Sequence, residues 1–160
     1  MAKSILQHLV SLILPATALI LVPSWIEPHI TRGRDAAFTA GAGLMLIGLL
    51  IMGHTIASFI RIGKGTLAPW SPTSRLVIEG LYTYVRNPMI LGVIIVLLGE
   101  ALAFGSWRIL AWALAFFAIN TLYFVRLEEP GLEKRFGEPY RRYRQNVPRW
   151  LPRLRPWQAE

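Results

Sequence analysis

Apolar residues fall in long blocks divided by short polar stretches, without the alternation that a water-facing surface imposes. Four blocks are long enough to cross a hydrocarbon core of ~30 Å as helices rising ~1.5 Å per residue. They run over about 5–25, 36–60, 88–104 and 107–125. The pattern predicts an all-α, polytopic membrane protein with about four transmembrane helices, a single domain over 1–160. The second block is glycine-rich, and the small residues Gly41, Gly48 and Ala57 suit close approach of another helix. Ordinary membrane-helix composition accounts for them equally well. Only Gly105-Ser106 separates the third block from the fourth, which predicts a tight antiparallel hairpin. Lys3, an apolar run and Ala16-Thr17-Ala18 have the form of a cleavable leader, but the run continues through Ile20, Leu21 and Val22. The first block is therefore expected to remain as a span.

Composition agrees with the pattern. Hydrophobic residues make up 54% and charged residues 16% of the chain, against about 25% charge in a soluble domain; the mean hydropathy is +0.44. The absence of cysteine excludes a disulfide framework, a thiol nucleophile and iron–sulfur ligation. The histidines at 8, 29 and 54 are too scattered for a metal cluster.

The net charge of +8 sits beside the apolar blocks, where membrane orientation and anionic headgroups explain it better than nucleic acid does. With four spans, Lys3, four basic residues between the second and third spans, and nine from Arg126 onward share one side. Arg32, Arg34 and Arg108 take the other. The richer side marks the cytoplasm, so both termini, the loop 61–87 and the tail 126–160 are expected there. In the tail, Leu132, Phe136, Tyr140 and Tyr143 recur at helical spacing; Trp150, Leu151, Leu154 and Trp157 follow among Pro and Arg. Such a mixture suits the headgroup region.

Several polar residues stand where chemistry is conceivable. Asn87-Pro88 opens the third span, with Asn87 as N-cap and Pro88 at the first helical position. Exposed N–H groups at that helix start, together with Arg86, make an anion site; equally, Asn-Pro only starts a helix and Arg86 only marks the cytoplasmic side. The hairpin brings Glu128-Glu129 to this same face, where a carboxylate suits ribose hydroxyls or a cation, or simply balances charge. His54 and Asn120 lie one to two turns inside the cytoplasmic boundary, either lining a pocket or bonding another helix, and Glu100 lies toward the outer side.

Two stretches carry a family resemblance. Leu76-Val-Ile-Glu-Gly-Leu-Tyr-Thr-Tyr-Val-Arg-Asn-Pro-Met-Ile-Leu-Gly92 is one; Glu128-Glu-Pro-Gly-Leu-Glu-Lys-Arg-Phe-Gly-Glu-Pro-Tyr-Arg-Arg-Tyr143 followed by Val147-Pro-Arg149 is the other. Together, and in their spacing, they resemble the isoprenylcysteine carboxyl methyltransferase family, whose wider group includes membrane phospholipid methyltransferases. The likeness covers roughly 61–152. It implies an S-adenosylmethionine-dependent methyltransferase embedded in the membrane, with a lipophilic acceptor entering sideways from the bilayer. By position it assigns the cofactor to Leu76, Val77, Tyr82, Asn87, Pro88, Met89, Ile90 and Glu128, and the helix start with Arg86 suits the carboxylate of such a cofactor. No metal is implied.

Three departures bear on the acceptor. Asn87 stands for the family histidine, Ile90 for a tyrosine, and Phe124 for the arginine that binds a prenylcysteine carboxylate. Arg126 is near that position on a different helix face. A neutral amine, thiol or hydroxyl on a lipophilic molecule is therefore as suitable as a carboxylate, with His54 as the candidate base. Two other functions fit parts of the chain: a small proton-coupled four-span transporter using Glu100, and a non-catalytic adaptor whose basic tail binds anionic lipids.

Overall fold

A computed structural model describes residues 13–29, 35–58, 61 and 76–158. His8 and residues 62–75 of the expected loop lie outside them. The described residues are all helical or irregular, without strands. Helix α1 is Ile13–Ile26, α2 Asp35–Ser58, α3 Pro88–Phe104, α4 Trp107–Phe136 and α5 Glu138–Asn146. A 3-10 turn, Gly80–Thr83, precedes α3. Two helices, α2 and α4, are long and apolar enough to cross a membrane; α1 and α3 are apolar but shorter among the described residues.

Helix α3 is the hub. Its Val93, Val96 and Leu97 join Ala18 of α1, Met52 of α2 and Ala113 of α4 in one buried cluster, with Met45, Trp112 and Phe116 around it. The Trp112 indole N–H donates to the Ala18 carbonyl at 3.0 Å and ties α4 to α1. Contact between α2 and α3 is closest at glycine. A Cβ on Gly41 would lie 2.5 Å from the Gly99 carbonyl oxygen, and one on Gly48 would lie 2.6 Å from that of Gly92. Two of the three small residues singled out in the sequence therefore face the seam; Ala57 is exposed.

The outer faces are apolar. Leu46, Leu50, Leu114, Ile119 and Leu122 are all more than half exposed. Large apolar side chains exposed in this number suit lipid better than water.

The α3–α4 hairpin forms as its sequence predicts. Gly105 takes φ 61° at the end of α3, a left-handed conformation that costs glycine little. Ser106 caps α4 by accepting from the Ile109 N–H at 3.3 Å. Its hydroxyl also donates to Glu27 at 2.8 Å, and Arg108 pairs with the same carboxylate at 3.3 Å, so the end of α1 is pinned to the hairpin.

One boundary differs from expectation. The fourth helix does not stop near 125 but continues to Phe136, a length of ~45 Å. The apolar part, about 107–125, is by itself close to the length a ~30 Å core requires; the charged part begins at Arg126. A π-turn over Phe124–Glu128 makes the continuation possible. Pro130 has no N–H to give the preceding turn, and the wider ladder, with Glu129 N–H bonded to Phe124, opens just before it. The same device recurs in α1, where the π-turn Thr17–Leu21 precedes Pro23.

Candidate active site

The open end of the hairpin gathers both sequence motifs. Asn87 sits at the N-cap of α3 and Pro88 at its first position, as expected; the Asn87 side chain makes no capping hydrogen bond. Pro88 is fully buried, and Met89 and Ile90 follow half-buried on the first turn. Arg86 does not point into open space. Its guanidinium Nη1 lies 2.7 Å from Glu129 Oε1, joining residues 43 apart in sequence. Arg149 reaches the same carboxylate from the tail, at 2.7 Å through Nε and 3.0 Å through Nη2. The three side chains are largely enclosed, with Arg86 and Glu129 about nine-tenths buried. Arg86 Nε is buried without a hydrogen-bond partner.

Glu128, the neighbour, faces elsewhere. Burial, followed by the adjacent Glu129 charge, pushes its carboxyl up to about 7. It is close enough to Tyr82 for its charge to help raise that phenol, behind burial and Tyr143. Adjacent positions on a helix point ~100° apart, so two consecutive carboxylates serve two places. Glu129 lies in the ion cluster, and Glu128 lies beside the Tyr82 turn.

The tail folds over the loop. Tyr140, Tyr143 and Val147 form a buried cluster against Leu76, Ile78, Leu132, Phe136 and Trp157. Four hydrogen bonds fasten it: Tyr143 Oη to the Tyr82 carbonyl at 2.8 Å, Arg86 N–H to Pro148 at 2.9 Å, Arg153 N–H to Tyr84 at 2.9 Å, and Trp157 N–H to Thr83 at 3.0 Å. Leu76 thus belongs to the loop–tail core, and Val77 beside it is buried. The apolar face of the tail is spent on the protein itself, while Leu151 and Leu154 remain exposed.

His54, the candidate base, lies exposed at the loop, and Arg126, near the position of the family arginine, is exposed as well. A Cβ on Gly80, which has φ 58°, would lie 2.9 Å from His54 Nε2. Asn120 donates to Phe116 of its own helix at 2.8 Å. Phe124 is buried in an aromatic group, with ring centroids 5.8 Å from Trp150, which in turn is 5.1 Å from Phe117. Among the described residues no group of three His, Cys, Asp or Glu side chains could hold a metal.

Sequence reasoning set Trp150 among the tail residues suited to headgroups and gave Arg149 no role of its own at the site, although Val147-Pro-Arg149 formed part of the resemblance. It brought Glu128 and Glu129 together to the face of Arg86 and assigned Glu128 to the cofactor by resemblance, without a separate role for Glu129; the structure sets Glu129 against Arg86.

Residues 36–139, well over half of the chain, match the phospholipid methyltransferase family. The chain belongs to that family. A curated relative, methanethiol S-methyltransferase of Pseudomonas deceptionensis, is 29% identical over 127 residues. The match takes in 74% of this chain and 44% of the relative, so the chain spans less than half the length of the curated relative it matches. No solved structure matches the chain. Membership in a membrane family agrees with the two long apolar helices and the lipid-suited outer faces.

Proposed function

We propose that this protein transfers a methyl group from S-adenosylmethionine to a lipophilic acceptor that enters from the bilayer. One observation carries the reading: the 2.7 Å contact of Arg86 with Glu129 joins the two family motifs at one end of the bundle. We read α1 to α4 as four spans, with this end and both termini in the cytoplasm, since the described basic residues concentrate there.

The donor set fits the cofactor. Glu128, half-buried and close to Tyr82, suits the ribose hydroxyls or the ammonium group. The uncapped start of α3, with Asn87 beside it, suits the carboxylate. Leu76, Val77, Met89 and Ile90 supply apolar walls, and Pro88 fixes the helix start. Arg86 holds the loop to Glu129. When bound, S-adenosylmethionine supplies an electrophilic methyl carbon. The residues above would hold that carbon in line with the acceptor, and His54 or water would take the proton of an acceptor that carries one. The protein's own contribution is alignment and exclusion of water.

The named activity of the relative supports a thiol as acceptor, and a buried Phe124 offers no cation to a carboxylate.

Calorimetric titration of the detergent-purified chain with S-adenosylhomocysteine tests the cofactor. One-to-one binding, weakened at least tenfold in Glu128→Ala and in Asn87→Ala, is expected. Normal binding in both variants would overturn the site assignment. No binding by the folded wild type would overturn the methyltransferase reading.

A further inference from the structure

The ion cluster leaves one buried polar atom beside it without a use. The Trp150 indole Nε1 is enclosed and has no hydrogen-bond partner. Leaving a buried donor unpaired is costly, so such a group invites a ligand. Its position along α4 is informative. The Glu129 N–H bonds to the Phe124 carbonyl, so Phe124 lies one turn below the Glu128-Glu129 pair, toward the apolar segment. Phe117 lies about two turns farther in the same direction. The indole packs against both rings, at 5.8 Å and 5.1 Å. Phe124 is 6% exposed and Phe117 38%, so the aromatic surface runs from the interior out to the apolar outer face. Arg149, the residue before Trp150, is fixed on Glu129 at 2.7 Å, which sets the height of the indole relative to the site.

Resting on the methyltransferase reading above, we propose that Trp150, Phe117 and Phe124 form the acceptor-binding wall. The indole N–H donates to the single heteroatom of an uncharged head group carried on an apolar chain. The chemistry of the wall excludes a carboxylate head. Aromatic faces are electronegative, Arg149 is committed to Glu129, and Arg126 is exposed. Sulfur is well suited to such a wall, because thioether and thiol sulfur pack favourably on aromatic rings.

The test uses the full chain in detergent with decane-1-thiol, decylamine, decan-1-ol and decanoic acid as probes. S-adenosylhomocysteine affinity is measured in parallel. Trp150→Phe keeps the ring and removes the donor. The expected result is methylation of at least one neutral probe and none of decanoic acid. In the variant, KM for that neutral probe rises roughly five- to tenfold, while kcat stays within twofold and S-adenosylhomocysteine affinity is unchanged. A purely structural indole would move thermal stability or cofactor affinity and leave acceptor KM alone. An unchanged KM in Trp150→Phe overturns the proposal, as does decanoic acid turning over as fast as the neutral probes, or turnover of none of them by a chain that binds S-adenosylhomocysteine. Failure of the wild type to bind S-adenosylhomocysteine overturns the underlying reading, and this inference with it.

Discussion

Both ends of the α3–α4 hairpin are closed on a glutamate, and the two closures differ in kind. At the turn, Glu27 accepts from Ser106 and pairs with Arg108, whose side chain is 52% exposed. At the open end, Glu129 takes two arginines in a place where its own side chain is 9% exposed. Water screens the first pair and is nearly excluded from the second. An exposed pair contributes about 0–1 kcal/mol. A buried one adds little over an apolar substitute, yet breaking it by removing one partner costs about 3–5 kcal/mol. The turn end is thus a fastening that the fold can lose. The open end is a junction in which loop, helix and tail depend on one carboxylate.

The largest effect should come from Glu129→Ala, which strands Arg86 and Arg149 together. A loss of about 3–5 kcal/mol is expected in reversible unfolding in detergent, with the tail released to proteolysis. Glu128→Gln, one residue away, should leave unfolding nearly unchanged at acid pH and weaken S-adenosylhomocysteine roughly ten- to hundredfold. Equal effects of the two substitutions on unfolding would erase the division of labour between the neighbours.

A pH series sharpens the same contrast. Glu128 is held up at about 7 by burial and by Glu129, so its folded form prefers the proton. Its contribution to stability is present below the ordinary carboxylate range and is lost as pH rises through about 7. The ligand-free wild type should therefore lose stability relative to Glu128→Gln across that window. Affinity for S-adenosylhomocysteine should rise over the same window if Glu128 meets the ammonium group, and stay flat in the variant. The smallest effect belongs to the turn. Glu27→Gln still accepts from Ser106 and should cost under about 1 kcal/mol by thermal unfolding.

The parts legible in the sequence were those written in adjacent residues. Asn87-Pro88 starts α3 and Gly105-Ser106 turns the hairpin because each is a local backbone choice. Gly41 and Gly48 marked a close seam, though not which helix would fill it. The division between Glu128 and Glu129 was not legible. It depends on helix phase, and the π-turn at Phe124–Glu128 shifts that phase by an amount no pattern of apolar residues announces. The continuation of α4 past 125 was hidden for a related reason, since its end in hydropathy is not its end in hydrogen bonding. The tail looked suited to headgroups because Tyr140 and Tyr143 are amphipathic. They are buried instead because Leu76 and Ile78, far away in sequence, supply the opposing surface.

The tail's bonds to the Tyr82–Tyr84 turn also set an order of assembly. Tyr143 meets Tyr82 across 61 positions, and Arg153 and Trp157 reach Tyr84 and Thr83 from farther still. Translation is directional, and folding follows it from the N-terminal side. The loop leaves the ribosome long before its cover exists, while α3 and α4 are already pairing. The site is therefore covered only after the bundle that carries it, and a chain whose synthesis stalls near residue 140 would hold an assembled bundle with an unfinished site.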